Sequence, residues 1–274
     1  MGCALHRQGD TRLMLHFLFQ ISDIYLLLLL SSITIGISII ALILVKRYIP
    51  LKLRNRNNPV IGNISALIGI IYGVLAGLTA LYLFNNVYYA TDSVQREANA
   101  LADIYRDSKW LKEPTRSAIQ IQVKNYLNKV INEEWILMKN GSEISKEGAL
   151  IIDSIGDQLK NYDMVTNKEF LIVRDILDEV KKLYDSREQR ISMNDSALNP
   201  EVWVVLLIGT ILTLGINYLF GMHFYLHLFT VSATALMASS MIFLIITLDK
   251  PFQGQFIVQP DSFKSTLSYI EKIS

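Results

Sequence analysis

Cysteine is almost missing: Cys3 is the only thiol in 274 residues. One thiol closes no disulfide within the chain and builds no cysteine metal cluster. Histidine is nearly as scarce. His6, His16, His223 and His227 are scattered. Only the last two share the i, i+4 spacing that can hold a metal, and no third ligand stands near them. They read as histidines at a membrane interface. Net charge is also close to absent, at +1, so nothing in the balance calls for a nucleic acid partner. No glycine loop for phosphate, no nucleophile with a base beside it and no metal spacing is found, so the chain reads as a non-enzyme without a cofactor. Glu133 and Glu134 are adjacent, and neighbours on a helix point about 100° apart. Acid–base work is the weaker reading of this pair. The stronger one puts Trp135 in a core and pairs one of the two carboxylates with a basic residue such as Arg187 or Arg190.

The most informative absence lies in four long apolar blocks, residues 24–45, 61–84, 202–220 and 223–248. None contains Asp, Glu, Lys or Arg. A helix needs about 20 apolar residues to cross a bilayer, so each block reads as a span. Ionisable groups inside spans mark proton relays and charge-coupled pumps; their absence argues against a proton-coupled transporter. The polar groups that the spans do carry are hydroxyls and amides, among them Ser31, Ser38, Thr79, Thr210, Asn217 and Ser239. Such groups line a neutral path or, more often, bond back to their own helix or across to a neighbour.

Glycine and proline are missing from residues 79–113. The second span therefore runs on without a break into a polar, helical stretch, and one long helix is expected from Asn58 to Leu111. Its membrane half carries Gly69, Gly73 and Gly77, which share one face at four-residue spacing. Small residues let helices approach closely in lipid, so the strip is either a packing face within one subunit or a pore or subunit seam. Residues 85–200 form an insertion between spans two and three. Apolar positions recur there at helical spacing: Val94, Ala98, Leu101 and Ile104; Ile121, Tyr126, Leu127, Val130, Trp135 and Met138; Ile151, Ile155 and Leu159; Phe170, Val173, Ile176, Leu183 and Tyr184. No strand-like alternation persists, and a small helical bundle is expected.

The fold class that follows is all-α: an integral membrane protein with four transmembrane helices and a helical soluble insertion. The expected parts are an N-terminal tail 1–23, a first hairpin 24–84, the insertion 85–200, a second hairpin 201–248 and a C-terminal tail 249–274. Residues 1–13 fit no lipidation pattern, and Met14 is an alternative start. The link between spans one and two holds Lys46, Arg47, Lys52, Arg54 and Arg56 without an acid. Cytoplasmic loops collect such cations. The link is therefore expected inside an inner membrane, and the insertion and both termini outside it. Expected partners are the lipid bilayer, further copies of the chain and small ions.

Several features in order along the chain resemble the bestrophin-like membrane family, a domain family of unknown function. They are the small residues from Asn63 to Gly77, Glu97-Ala98 with Leu101 to Tyr105, Tyr126, then Glu134-Trp135. Arg187 to Arg190, Pro200 with Trp203, and Asp249-Lys250-Pro251-Phe252-Gln253-Gly254 follow. The last is the most specific. Glu97, Glu134, Trp135, Asp249, Pro251, Phe252 and Gly254 are accordingly expected to serve structure, with Phe252 an anchor at headgroup level after span four and Asp249 a cap or a partner of the insertion. The resemblance carries no catalytic or ligand residues. It implies similarity to bestrophins, pentameric anion channels with four membrane helices per subunit and a helical part between helices two and three. An ion channel, anion-conducting by that resemblance, is thus one functional expectation. A membrane-anchored sensor or scaffold, whose insertion binds a ligand or partner protein, is the other.

Overall fold

The structure is a computed structural model and describes residues 23–253 and 258–273. Cys3, residues 1–13 and Gly254 lie outside the described residues. In chain order the helices are α1 (Asp23–Tyr48), α2 (Leu51–Ser108), α3 (Thr115–Lys129), a π-helical turn (Val130–Glu134), α4 (Trp135–Lys139), α5 (Glu147–Lys160), α6 (Asn167–Asp195), α7 (Pro200–Tyr218), α8 (Phe224–Leu248) and α9 (Asp261–Ile273). No strand occurs among the described residues. Contacts divide the chain into two units: the residues up to Asn85 with Ala197–Lys250, and Asn86–Ser196 with the residues from Pro251 onward.

The first unit contains the apolar helices. Among the described residues, four helices are long and apolar enough to cross a membrane: Ile24–Tyr48, Leu51–Ser108, Pro200–Tyr218 and Phe224–Leu248. α1 packs along α8, and α7 packs on α8. Proline at the first position of α7 starts that helix as expected. α2 meets α7 where the Tyr72 ring lies on Gly209, since a Cβ at that glycine would sit 2.5 Å from Tyr72 Cδ2. The Tyr72 and Thr210 hydroxyls share a hydrogen bond of 2.9 Å beside this contact. Most remaining hydroxyls bond back within their own helix, as Thr34 does to Leu30 O at 2.7 Å and Thr79 to Leu75 O at 2.9 Å.

The long helix begins earlier than the sequence predicts. It starts at Leu51, and Pro59 lies inside it. Proline usually pushes the preceding residue out of the helical region. Here that residue, Asn58, is held from outside: its Nδ2 donates to Gly221 O and its Oδ1 accepts from Gly221 N–H, both at 2.8 Å. The turn between α7 and α8 thus docks on the start of α2. Gly221 allows the approach, because a Cβ there would collide with the Asn55 side chain and the backbone of Arg54 and Asn55.

The second unit is a helical bundle around one apolar core. Leu101, Ile104, Val123, Leu127, Ile155, Ile176 and Leu183 are buried in it. α6 begins at a capping box: Thr166 Oγ1 accepts from Glu169 N–H at 3.2 Å, and Glu169 Oε2 accepts from Thr166 N–H at 3.0 Å. Lys112 and two backbone amides together hold the Glu169 carboxyl down at about 2. Three expected core residues are exposed instead: Ile121, Phe170 and Tyr184. Each sits one helical step off a buried stripe. The expected tail is a further correction. Residues 261–273 form α9, an integral part of the bundle whose Phe263 and Ile270 are fully buried in the same core. Its Thr266 hydroxyl donates to Ala98 O at 3.3 Å, and Ile273 O accepts from Lys109 Nζ at 2.7 Å. Spaced apolar residues in a 13-residue stretch can make such a face, and a polar average hides it.

Replacing Gly221 with Val should lower the thermal midpoint of the purified protein, because the added side chain must separate the turn from α2. Overpacking of this kind costs about 1–3 kcal/mol. A midpoint equal to that of the parent chain would show that the docked turn does not matter for stability.

Candidate functional site

Two places collect the residues that the sequence singles out. The first is in the core of the helical bundle. Glu97 from α2, Tyr126 from α3, Glu134 from the π-helical turn, and Arg187 and Arg190 from α6 converge there. All five are buried, and Glu97, Tyr126, Glu134 and Arg190 fully so. Arg190 donates Nε–H to Glu97 Oε2 at 2.7 Å and Nη2–H to Glu97 Oε1 at 2.9 Å. The same Nη2 donates to Glu134 Oε2 at 2.9 Å. Arg187 grips Glu134 with two donors, at 2.8 and 2.7 Å. The Tyr126 hydroxyl donates to Glu97 Oε1 at 2.6 Å and accepts from Arg187 Nη1 at 3.1 Å, which closes the circuit. The third Arg190 nitrogen, Nη1, donates to Met138 Sδ at 3.0 Å.

Two carboxylates thus face two guanidinium groups, so the cluster is neutral as a whole. Desolvation of a lone ion is expensive, and good geometry with satisfied donors is needed to offset it. Burial alone would raise the Glu134 carboxyl; the hydrogen bonds from Arg187 and the charges of both arginines outweigh it and hold the group below the usual carboxylate range. Burial and the Glu97 charge push the Tyr126 hydroxyl far up, so it stays protonated and donates. The expected pairing of one glutamate with Arg187 or Arg190 holds, and Glu134 takes both. Glu133 lies at the surface and pairs with Lys129 at 2.5 Å.

The π-helical turn accounts for this division. Its wider turn shifts the register, so that Glu134 and Trp135 both face the core while Glu133 does not. Trp135 packs edge-on against Phe252 at 5.6 Å and Phe263 at 6.0 Å. Phe252 is therefore a core residue, 4% exposed, and not the headgroup anchor expected of it. Its buried position follows from Pro251 and Phe252 belonging to the second unit, with α9. Asp249 accepts the Leu198 N–H at 2.6 Å in the first unit; this ties the end of α8 to the residue before the α7 cap. Gln253 lies against Gly141, whose φ of 64° is the left-handed end of α4. Gly148 was not anticipated from the sequence. A Cβ there would sit 2.5 Å from Glu134 Oε1 and 2.6 Å from Arg187 Cζ. Only the absence of a side chain lets α5 pass over the ion pair.

The second place is the face of α2 that bears Gly69, Gly73 and Gly77. Among the described residues, nothing comes within 4 Å of a Cβ built on any of the three. The strip is thus open among the described residues. Its neighbours Ile70, Val74 and Leu78 are exposed as well.

Residues 32–263 match the family model described as the Bestrophin-like domain. The chain belongs to the Bestrophin-like family. Solved structures with the same fold include two of a bacterial bestrophin homolog from Klebsiella pneumoniae, each with a single substitution. One has a TM-score of 0.65 at 13% identity and covers 90% of this chain and 96% of that one. The other has a TM-score of 0.67 at 11% identity, with 90% and 98% covered. A structure described as a membrane protein, also a substituted form, has a TM-score of 0.66 at 14% identity and covers 89% and 96%. No curated protein matches the chain. The fold and family therefore extend over both units, and the chain is a membrane protein of this family.

Removing one member of the buried circuit should be costly. Arg190→Ala leaves two carboxylates short of a partner and should destabilise the protein by about 3–5 kcal/mol. Tyr126→Phe removes one hydrogen bond and should cost about 1 kcal/mol. Stability should also depend on acid. The depressed Glu134 group contributes stability above its unfolded value, about 4.3, and that contribution disappears as pH falls through the lower folded value. The unfolding midpoint should hold between about pH 7 and 5 and fall below about 4. A pH profile unchanged by Glu134→Gln would remove Glu134 from this role.

Proposed function

We propose that the chain is one subunit of a homo-oligomeric ion channel of the inner membrane, with α2 beside the conduction path. The observation that carries this reading is the open face of Gly69, Gly73 and Gly77. A strip of bare backbone that no described residue approaches suits either a lumen or a seam with another copy. Family membership supports the reading, and the likeness to bestrophins favours anions. The helical bundle then serves as a vestibule, kept rigid by its buried circuit.

Flux of potassium and chloride, each under its own gradient, in liposomes containing the purified protein tests the proposal. Selective flux is expected, and Gly73→Leu should abolish it while the oligomer stays intact. If neither ion moves at verified incorporation, the channel reading fails and the sensor or scaffold takes its place. A shallow groove between α5 and α6, with Ile152, Gly156, Leu177 and Tyr184 among its lining residues, is where a partner of that scaffold would be sought.

Orientation is part of the same proposal. The basic link between α1 and α2 favours the cytoplasmic side for itself and the outer side for the helical bundle. A cysteine at the exposed Ser142, in a Cys3→Ser background, should react with a membrane-impermeant maleimide on intact spheroplasts. Labelling only after lysis would place the bundle in the cytoplasm.

A further inference from the structure

The charges of the first unit are sorted by end. Asp23 and Glu201 lie at the starts of α1 and α7, and Asp249 caps the end of α8. The opposite ends of these helices, with the start of α2, hold Lys46, Arg47, Lys52, Arg54 and Arg56. No acid occurs from Ile24 to Thr91 or from Val202 to Leu248. Among the described residues these cations make no ion pair.

Exposed cations without partners are ordinary, but Arg54 is 4% exposed. Its Nη1 donates to Phe220 O at 3.1 Å, at the end of α7. A cation on the last carbonyls of a helix is favourable, and that explains one donor. It leaves the buried Nε without a hydrogen-bond partner among the described residues. His227 is fully buried next to the same turn and bonds Asn217 O through Nε2 at 2.9 Å. A carbonyl only accepts, so Nε2 carries the proton and Nδ1 holds a lone pair. That Nδ1 is also buried without a hydrogen-bond partner among the described residues. Lys46 and Arg54 both lie within electrostatic reach of the ring. Lys46 Nζ stands 4.6 Å over the Phe224 ring, one turn before His227. A buried charge lacking a counter-ion is expensive, and here two cations and an orphaned acceptor converge on one turn.

We propose that Lys46, Arg54 and His227 form a binding site for a phosphate group that bears or adjoins a hydroxyl. The two cations meet the phosphate charge, and Nδ1 accepts from the O–H. The site lies at the ends of the spans, at the depth of the headgroup layer. The glycerol phosphate head of an anionic lipid and soluble inorganic phosphate both carry this chemistry. The site does not depend on the channel reading.

The test uses the full chain, delipidated in a neutral detergent, with the thermal midpoint as readout. Phosphatidylglycerol should raise the midpoint above that in phosphatidylcholine by about 3 °C or more. Arg54→Gln should abolish the difference. Should that variant not fold, Lys46→Gln, at a half-buried position, should cut the difference by half or more, and Lys52→Gln, an exposed cation on the same link, should leave it in place. Inorganic phosphate raising the midpoint as much as phosphatidylglycerol does would assign the site to the soluble anion; no effect of phosphate alone would assign it to the lipid. Equal midpoints in both lipids with no response to phosphate would overturn the site. So would a Lys52→Gln loss as large as that of Lys46→Gln, which would reduce the effect to general surface charge.

Discussion

The helical bundle depends on a buried pair of arginines meeting a buried pair of glutamates. Four segments supply the circuit: Glu97 from α2, Tyr126 from α3, Glu134 from the π-helical turn, and Arg187 and Arg190 from α6. Apolar packing tolerates small slips between helices. Bidentate hydrogen bonds do not, because a displaced guanidinium leaves a charge unsatisfied in a low-dielectric core. The circuit therefore selects one register among helices whose apolar faces alone would allow several. Around it the surroundings are equally exacting. Gly148 supplies clearance for α5, Met138 Sδ accepts from Arg190 Nη1, and Phe263 lies under the Arg190 guanidinium at 5.8 Å.

Much of this is legible in the sequence. Glu97 falls between Val94 and Leu101 on an apolar stripe, and Arg187 and Arg190 continue the stripe that runs through Val173, Ile176 and Leu183. Charge at stripe positions on separate helices signals pairing across a core. The four spans follow from hydropathy, and the unbroken passage of α2 from the membrane segment into the bundle follows from the lack of glycine and proline. Less accessible were the features set by contacts distant in sequence. The π-helical turn breaks the 3.6-residue period on which the stripe is counted, so the pattern places Trp135 inward but leaves open which of Glu133 and Glu134 goes with it. The role of α9 was hidden because its buried Phe263 and Ile270 stand among polar residues. Phe252 was misplaced for the same reason: its partner Trp135 is more than a hundred residues away.

The openness of the Gly69, Gly73 and Gly77 face could not be read in advance either. Four-residue spacing shows that small residues share a face. It does not show what that face meets, since helix packing in lipid uses the same residues whether the partner is in the chain or in another copy.

The polar groups of the membrane unit narrow the choice. Thr34, Thr79, Thr210, Asn217, Thr234 and Ser240 bond to carbonyls within their own helices. Ser31 with Ser239 and Ser38 with Tyr218 bridge helices at 3.1 Å. A wet path through the interior of a single copy would have to displace such bonds and separate α1 from α8. A path along the glycine face of α2 displaces none, because no described residue comes within 4 Å of a Cβ built on it. For the proposed channel, this favours a path formed between copies, with α2 turned toward the shared axis.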